Sequence, residues 1–201
     1  MTAYLALLGF IVFMVGTPGP ANLVVMLAGV QQGVRASLGF ILGLVCGKIL
    51  LNMFIGFGFG VVLASYPLLQ SGFAYISASY MIWLAVRSWP RTTKNGSTPR
   101  KKHQTEFRFR EGVLVHPLNP KAWVMAVLAW GHFAPALGDF WVQLPVVVSS
   151  FALCQLFLHS LWCGLGAYLG KSFADNKRLT QSMIIVTVLV VVAALFYTPE
   201  V

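Results

Sequence analysis

Long apolar stretches, cut by short polar gaps, run along nearly the whole of this chain. They cover about residues 4–30, 37–64, 68–89, 112–133, 142–170 and 180–197. A helix needs about 20 apolar residues to cross the hydrocarbon core of a bilayer. The pattern therefore predicts an all-α, polytopic membrane protein with six transmembrane helices. Two of the six are interrupted. Thr17-Pro18-Gly19-Pro20 cuts the first and His116-Pro117-Leu118-Asn119-Pro120 cuts the fourth. Proline lacks an amide donor and clashes with the preceding turn, so neither segment can continue a regular helix.

A polar stretch, Arg91 to Arg108, separates the third run from the fourth. It holds Asn95-Gly96-Ser97-Thr98-Pro99 and the basic run Arg100-Lys101-Lys102. It divides the chain into a first three-helix unit (1–90), a basic loop (91–108) and a second three-helix unit (109–201). Three is odd, so the second unit enters the membrane upside down relative to the first. That is an inverted repeat, with helices 1 and 4 broken at matching positions, an architecture common among transporters. Pro20-x-Asn22 and Pro117-x-Asn119 echo one another across the halves.

Composition agrees with the pattern. Of 201 residues, 58% are hydrophobic and 9% charged, against roughly 25% charged in soluble domains. All but two of the 14 Lys and Arg residues lie in or beside alternate gaps. Arg35 marks the first gap. Arg87, Arg91, Lys94, Arg100, Lys101, Lys102, Arg108 and Arg110 mark the third. Lys171, Lys177 and Arg178 mark the fifth. Cytoplasmic loops collect cations. The reading is a multi-pass membrane protein with loop 91–108 cytoplasmic and both termini outside. The net charge of +9 then belongs to membrane topology and to contact with anionic lipid, not to nucleic acid. Residues 1–16 lack a basic start and a cleavage site, so they read as the opening of the first span.

The two remaining cations carry the chemistry. Lys48 lies at the middle of the second run, where an ammonium costs at least about 2.5–3.5 kcal/mol on insertion scales. It is too deep to reach either surface, so it should face a hydrated interior. Asn52 lies one turn on, on the same face. Such a lysine can bind a carboxylate, exchange a proton, or both. Lys121 follows the second break, where two readings stand: a site residue, or a side chain reaching to the membrane surface. A broken helix frees backbone groups that must face protein or a wet cavity, and the helix that resumes presents a partial positive charge. Residues 17–22 and 116–121 are therefore expected to line one central site. Its substrate-binding candidates are Thr17, Pro18, Pro20, Asn22, Lys48, Asn52, Asn119 and Lys121. Lys48 and His159 are the candidates for coupling. Gln155, His159 and Cys163 form a stripe on one helical face that either lines the pathway or bonds to neighbouring helices. No metal and no cofactor is expected, because no carboxylate completes a ligand set. Gly39, Gly43 and Gly47, and again Gly166 and Gly170, recur every fourth residue and predict close helix contact.

Thr17-Pro18-Gly19-Pro20-Ala21-Asn22, followed by spaced glycines, resembles the start of the lysine exporter (LysE/RhtB) family. Phe109-Arg110-Glu111-Gly112 leading into Asn119-Pro120-Lys121-Ala122 is similar to the family's second-half motif. The resemblance covers essentially the whole chain. It implies export of amino acids or related small metabolites across the inner membrane, powered by the proton gradient. The family often has an acidic residue where this chain has Lys48. A cationic site disfavours lysine or arginine, so a neutral zwitterion or an anionic metabolite is the expected cargo. The partners that follow are that small molecule, protons and lipid; a homo-oligomer is compatible with the sequence. Two other readings are a membrane thiol or electron carrier and a non-transporting scaffold. No cysteine flanks either break, and Cys154 and Cys163 fall on opposite sides of a helix. No nucleophile–base pair or nucleotide loop suggests an enzyme.

Overall fold

The structure is a computed structural model that describes residues 1–60, 65–89, 107–172 and 177–196. Arg91, Lys94, the run Arg100 to Lys102 and Glu200 lie outside the described residues. The regular elements are all helical: α1 (Thr2–Gly16), α2 (Pro20–Phe54), α3 (Pro67–Val86), α4 (Phe109–Val115), α5 (Pro120–Leu128), α6 (Phe140–Ser172) and α7 (Lys177–Phe196). Two π-helical turns, Ile55–Phe59 and Ala129–Phe133, extend α2 and α5. Pro20–Phe59, Phe140–Ser172 and Lys177–Leu195 are long and apolar enough to cross a membrane. Thr2–Gly16 and Ser71–Val86 are shorter apolar helices. This is a multi-pass membrane fold.

Both breaks fall where the prolines put them. α1 ends at Thr17, whose ψ of 142° is extended, and α2 begins with Pro20 in its first turn. α4 ends at His116, Asn119 is extended, and α5 begins with Pro120. A proline in the first helical turn forfeits an N–H that would have no intrahelical partner. The second proline of each segment therefore starts a helix rather than ending one.

The 35 residues of α2 would reach roughly 50 Å if straight, far more than one crossing requires. Gly33 divides them, at φ 74° and ψ 171°, a backbone shape that side chains with a Cβ rarely adopt. Before it, Met26 and Val30 lie against Gly166 and Gly170 of α6, so the first limb runs the same way as α6. After it, Ser37 meets Cys163 and Lys48 meets Phe151, so the second limb runs back. α2 is thus a hairpin of two limbs, its bend close to the sequence gap around Arg35. α4 and α5 run alongside the returning limb, with Gly43 at Phe109, Gly47 at Val113 and Lys48 at Ala122. The broken pair α1–α2 consequently runs opposite to the broken pair α4–α5.

Glycines set the spacing between these helices. A Cβ on Gly29 would collide with the Cys163 carbonyl, and one on Gly166 with that of Met26. A Cβ on Gly43 would strike Phe109, on Gly47 Val113, and on Gly112 Phe40. In lipid, helices associate through packing rather than exclusion from water, and small residues let backbones touch. The predicted glycine stripes are these contact lines, except that Gly39 only brushes Phe109.

Of the described cations, Arg35, Arg87, Arg108, Arg110 and Lys171 lie toward one end of the bundle. There Gln31 Nε2 donates to Ser88 O at 2.7 Å, Gln32 bonds Phe107, and Arg87 pairs with Glu111 at 3.7 Å. Gly170, beside Lys171, lies against Val30 at the same end. At the other end Phe10 stacks on Phe133 with centroids 4.8 Å apart, and Phe57 meets Phe140.

Gly166→Ala should destabilise the protein by about 1–3 kcal/mol through overpacking. Gly164→Ala, where nothing lies within 4 Å of the new methyl, should be neutral or slightly stabilising. Thermal unfolding of both in detergent checks the difference; equal midpoints would contradict the backbone contact.

Candidate functional site

The two breaks meet at the centre of the bundle, and Lys121 joins them. Its Nζ donates to Thr17 O at 3.0 Å and to Thr17 Oγ1 at 2.8 Å. The Thr17 hydroxyl in turn donates to Met14 O at 3.0 Å. Lys121 therefore does not reach for the membrane surface. The first break offers it two oxygens on Thr17.

The two asparagines cap the breaks. Asn22 Nδ2 donates to Val15 O at 2.8 Å and Thr17 O at 2.9 Å, satisfying the end of α1. Asn119 Oδ1 accepts from Lys121 N at 3.1 Å, satisfying the start of α5. Trp123 Nε1 donates to Pro117 O at 2.7 Å within the second break. The groups that interruption exposed are thus largely met by side chains of the same segments, as a low-dielectric interior demands.

Lys48 is fully buried. Its Nζ donates to Ala122 O at 2.8 Å and lies 4.2 Å from the centroid of the Phe151 ring. The structure seats it on a carbonyl and an aromatic face. Both partners suit a cation, the ring through its negative face. Asn52, one turn on, donates to Lys48 O at 3.1 Å and leaves its Oδ1 unpaired.

A cavity of ≈ 20 Å³ lies between the breaks and α6, lined by Asn22, His116, Asn119, Lys121, Gln155 and His159 among others. That is room for about one water molecule, in a pocket that is partly open. His116 and His159 stack with centroids 5.4 Å apart and planes at 19°. Both nitrogens of His116, both amide atoms of Gln155 and Nδ1 of His159 are buried without a hydrogen-bond partner. Each such orphan costs about 1–3 kcal/mol. Lys48 lies within electrostatic reach of both rings. The described carboxylates are Glu111, paired with Arg87, and Asp139, which caps α6; neither lines the cavity. A second cavity of ≈ 10 Å³ lies between Pro20, Asn119 and Pro120 on one side and α3 and α7 on the other.

Of the sequence candidates, Asn22, Asn119, Lys121 and His159 line the first cavity, and Thr17 bonds Lys121 beside it. Pro20 lines the second. Pro18, Lys48 and Asn52 line neither. Lys48 packs behind the cavity, and Pro18 serves to end α1. His116 and Gln155 do line the first cavity, although the candidate set omits them. Gln155 and His159 were visible as a stripe one turn apart. Nothing in the sequence pairs that stripe with His116, because the pairing depends on how α4 leans on α6. Among the described residues no group of three or more His, Cys, Asp or Glu is placed to hold a metal, and Cys46, Cys154 and Cys163 are unpaired.

The chain matches the LysE type translocator family over residues 12–198, and it belongs to that family. It is therefore a membrane transporter rather than an enzyme, and a small molecule is its substrate. It is 28% identical over 165 residues to an uncharacterized membrane protein of Vibrio cholerae, covering 82% of this chain and 80% of the relative. It is 27% identical over 196 residues to the uncharacterized membrane protein YrhP of Bacillus subtilis, covering 90% of each. A third relative, the uncharacterized membrane protein PA4757 of Pseudomonas aeruginosa, is 28% identical over 118 residues, or 56% of this chain and 55% of that one. No solved structure matches the chain.

Asn22→Ala should strip Val15 O of its side-chain partner and lower stability by about 1–3 kcal/mol. Ser149→Ala, an exposed hydroxyl bonded within its own helix, should change it by less than about 0.5 kcal/mol. Unfolding midpoints in detergent compare the two.

Proposed function

We propose that this translocator is a secondary transporter that exports an amino acid or a related small carboxylate across the inner membrane, driven by the proton gradient through alternating access. The observation that carries the reading is the Lys121 bridge to Thr17 beside a small polar cavity. It places a cation, two helix starts and two asparagines where the antiparallel broken helices cross. Helix starts and a lysine favour the carboxylate of a substrate. Opening the pocket toward either face requires the two break segments to separate, and the Lys121 contact is what must yield. The opposed courses of α1–α2 and α4–α5 support two inverted three-helix units moving against each other, 1–90 and 109–201. The gathered cations support a cytoplasmic position for that end and for loop 91–108, with periplasmic termini. Lys48 adds positive field without a carboxylate to balance it, which favours a neutral zwitterion or an anion over lysine or arginine.

The test is a comparison of extracellular metabolites between cells lacking and cells overproducing the protein. One amino acid or small carboxylate should track expression; a basic amino acid as the sole responder would contradict the charge argument. Lys48→Met should abolish that efflux while the protein remains in the membrane at normal levels. Unchanged efflux would remove Lys48 from the mechanism. A protease site inserted in the basic loop should be cut only from the cytoplasmic face, and cleavage from the periplasm would invert the topology.

A further inference from the structure

The Phe109-Arg110-Glu111-Gly112 segment lines neither cavity, yet it ties α3 to α4. Glu111 makes three contacts. Its Oε2 accepts from Arg108 N at 3.1 Å and caps the start of α4. Its Oε1 faces Arg87 Nη1 at 3.7 Å, and its carbonyl accepts from the Tyr80 hydroxyl at 3.0 Å. Arg87 and Tyr80 belong to the first three-helix unit and Glu111 to the second, so these ties cross between the units. The two sides of α4 are fastened differently. Toward α2, Gly112 meets Phe40 and Gly43 meets Phe109, backbone to backbone. Toward α3 the fastening is made by side chains, and nothing lies within 4 Å of a methyl placed on Gly72 of α3. The side chains of the ion pair are 26% and 18% exposed, and a partly exposed pair is weak enough to break and re-form. α3 and α4 run in opposite directions. Arg87 lies at Glu111, whereas Ser77 and Ala78, further back along α3, lie with Asn119 and Pro120 around the second cavity. The seam between the two helices thus leads from the cationic end to that cavity, and Asn119 lines it and the polar chamber alike.

We propose that Glu111, with Arg87 and Tyr80, is the gate on the cationic side of the pathway. While these contacts hold, the seam between α3 and α4 stays shut. When they release, α3 swings away from the glycine-locked pair of α2 and α4 and opens the break segments to that side of the membrane. This rests on the alternating-access reading and names the residues that gate one of its two faces. The opposite end is fastened by other chemistry, ring against ring, with Phe10 on Phe133 and Phe57 on Phe140. Alternating access requires one end to yield while the other holds. Unlike contacts at the two ends meet that requirement, because what loosens an ion pair leaves an aromatic stack in place. Release at the cationic end leaves a carboxylate and a guanidinium near the membrane surface, where water takes up both.

The test is thiol labelling of Ser77→Cys, because Ser77 is 2% exposed and lines the second cavity. The full chain is labelled in membrane vesicles of either orientation with a membrane-impermeant maleimide. Peptide mass spectrometry separates the new thiol from Cys46, Cys154 and Cys163. With Glu111 intact the label should enter slowly. Glu111→Gln keeps an acceptor for Arg108 N, as a capping box allows, and removes the charge; Arg87→Gln removes the other partner. Each should speed labelling by about threefold or more, the scale of one partly exposed pair, and only from the face on which loop 91–108 lies. The double variant should go no faster than the quicker single, since both remove the same interaction. Tyr80→Phe keeps the ring, should act in the same direction, and carries the test if Glu111→Gln does not reach the membrane. Fast labelling with Glu111 intact, rates unchanged in the three single variants, or equal acceleration from both faces overturns the gate. The readout needs no cargo. A metabolite comparison in which no compound tracks expression would overturn the export reading and leave the labelling result as it stands.

Discussion

A bilayer core offers no hydrogen bonds, so each backbone group freed by a broken helix must be met by the protein itself. This constraint organises the centre of the molecule. Val15, Thr17, Pro117 and Ala122 present carbonyls near the breaks, and Asn22, Lys121, Trp123 and Lys48 claim them. The two lysines are held by this arrangement as much as they hold it. An ammonium in hydrocarbon is costly, but a carbonyl released from a helix ladder is a ready acceptor. The first break and Lys121 therefore compensate one another, whereas Lys48 bonds the Ala122 carbonyl inside α5.

Close backbone packing makes those exchanges reachable. α6 passes both limbs of the α2 hairpin, and the glycines at 29 and 166 let the first limb approach it without side chains between. Gly43, Gly47 and Gly112 do the same for the returning limb and α4. Lys48 spans from α2 to Ala122 because the Gly47–Val113 contact draws the second broken helix close. A single Cβ at these crossings would push the helices apart and lengthen hydrogen bonds that have no water to replace them.

The charge distribution separates two tasks. Arg87, Glu111 and the glutamine contacts of Gln31 and Gln32 tie α2, α3 and α4 together at the cationic end. The interior holds Lys48, Lys121 and a histidine pair, with no described carboxylate among them. The first group joins helices at one end of the bundle. The second lies in and behind a small polar chamber where several buried polar atoms have no partner.

The sequence by itself determined the elements. Apolar length marked the helices, the prolines placed both breaks within a residue or two, and fourth-residue glycines marked the lines of contact. These signals are local: a proline ends a helix whatever surrounds it, and an apolar run of this length has few other solvents. It also singled out Lys48, Lys121, Asn22 and Asn119, because polar groups at that depth are conspicuous in any fold. Only the tertiary structure decided their partners. That Lys121 turns to Thr17, that Lys48 rests on Phe151, and that His116 stacks on His159 all depend on contacts between residues 43 to 104 positions apart. No periodicity encodes such a pairing, since it is fixed by how closely glycine-lined backbones can pack and by which orphaned carbonyl lies nearest each donor.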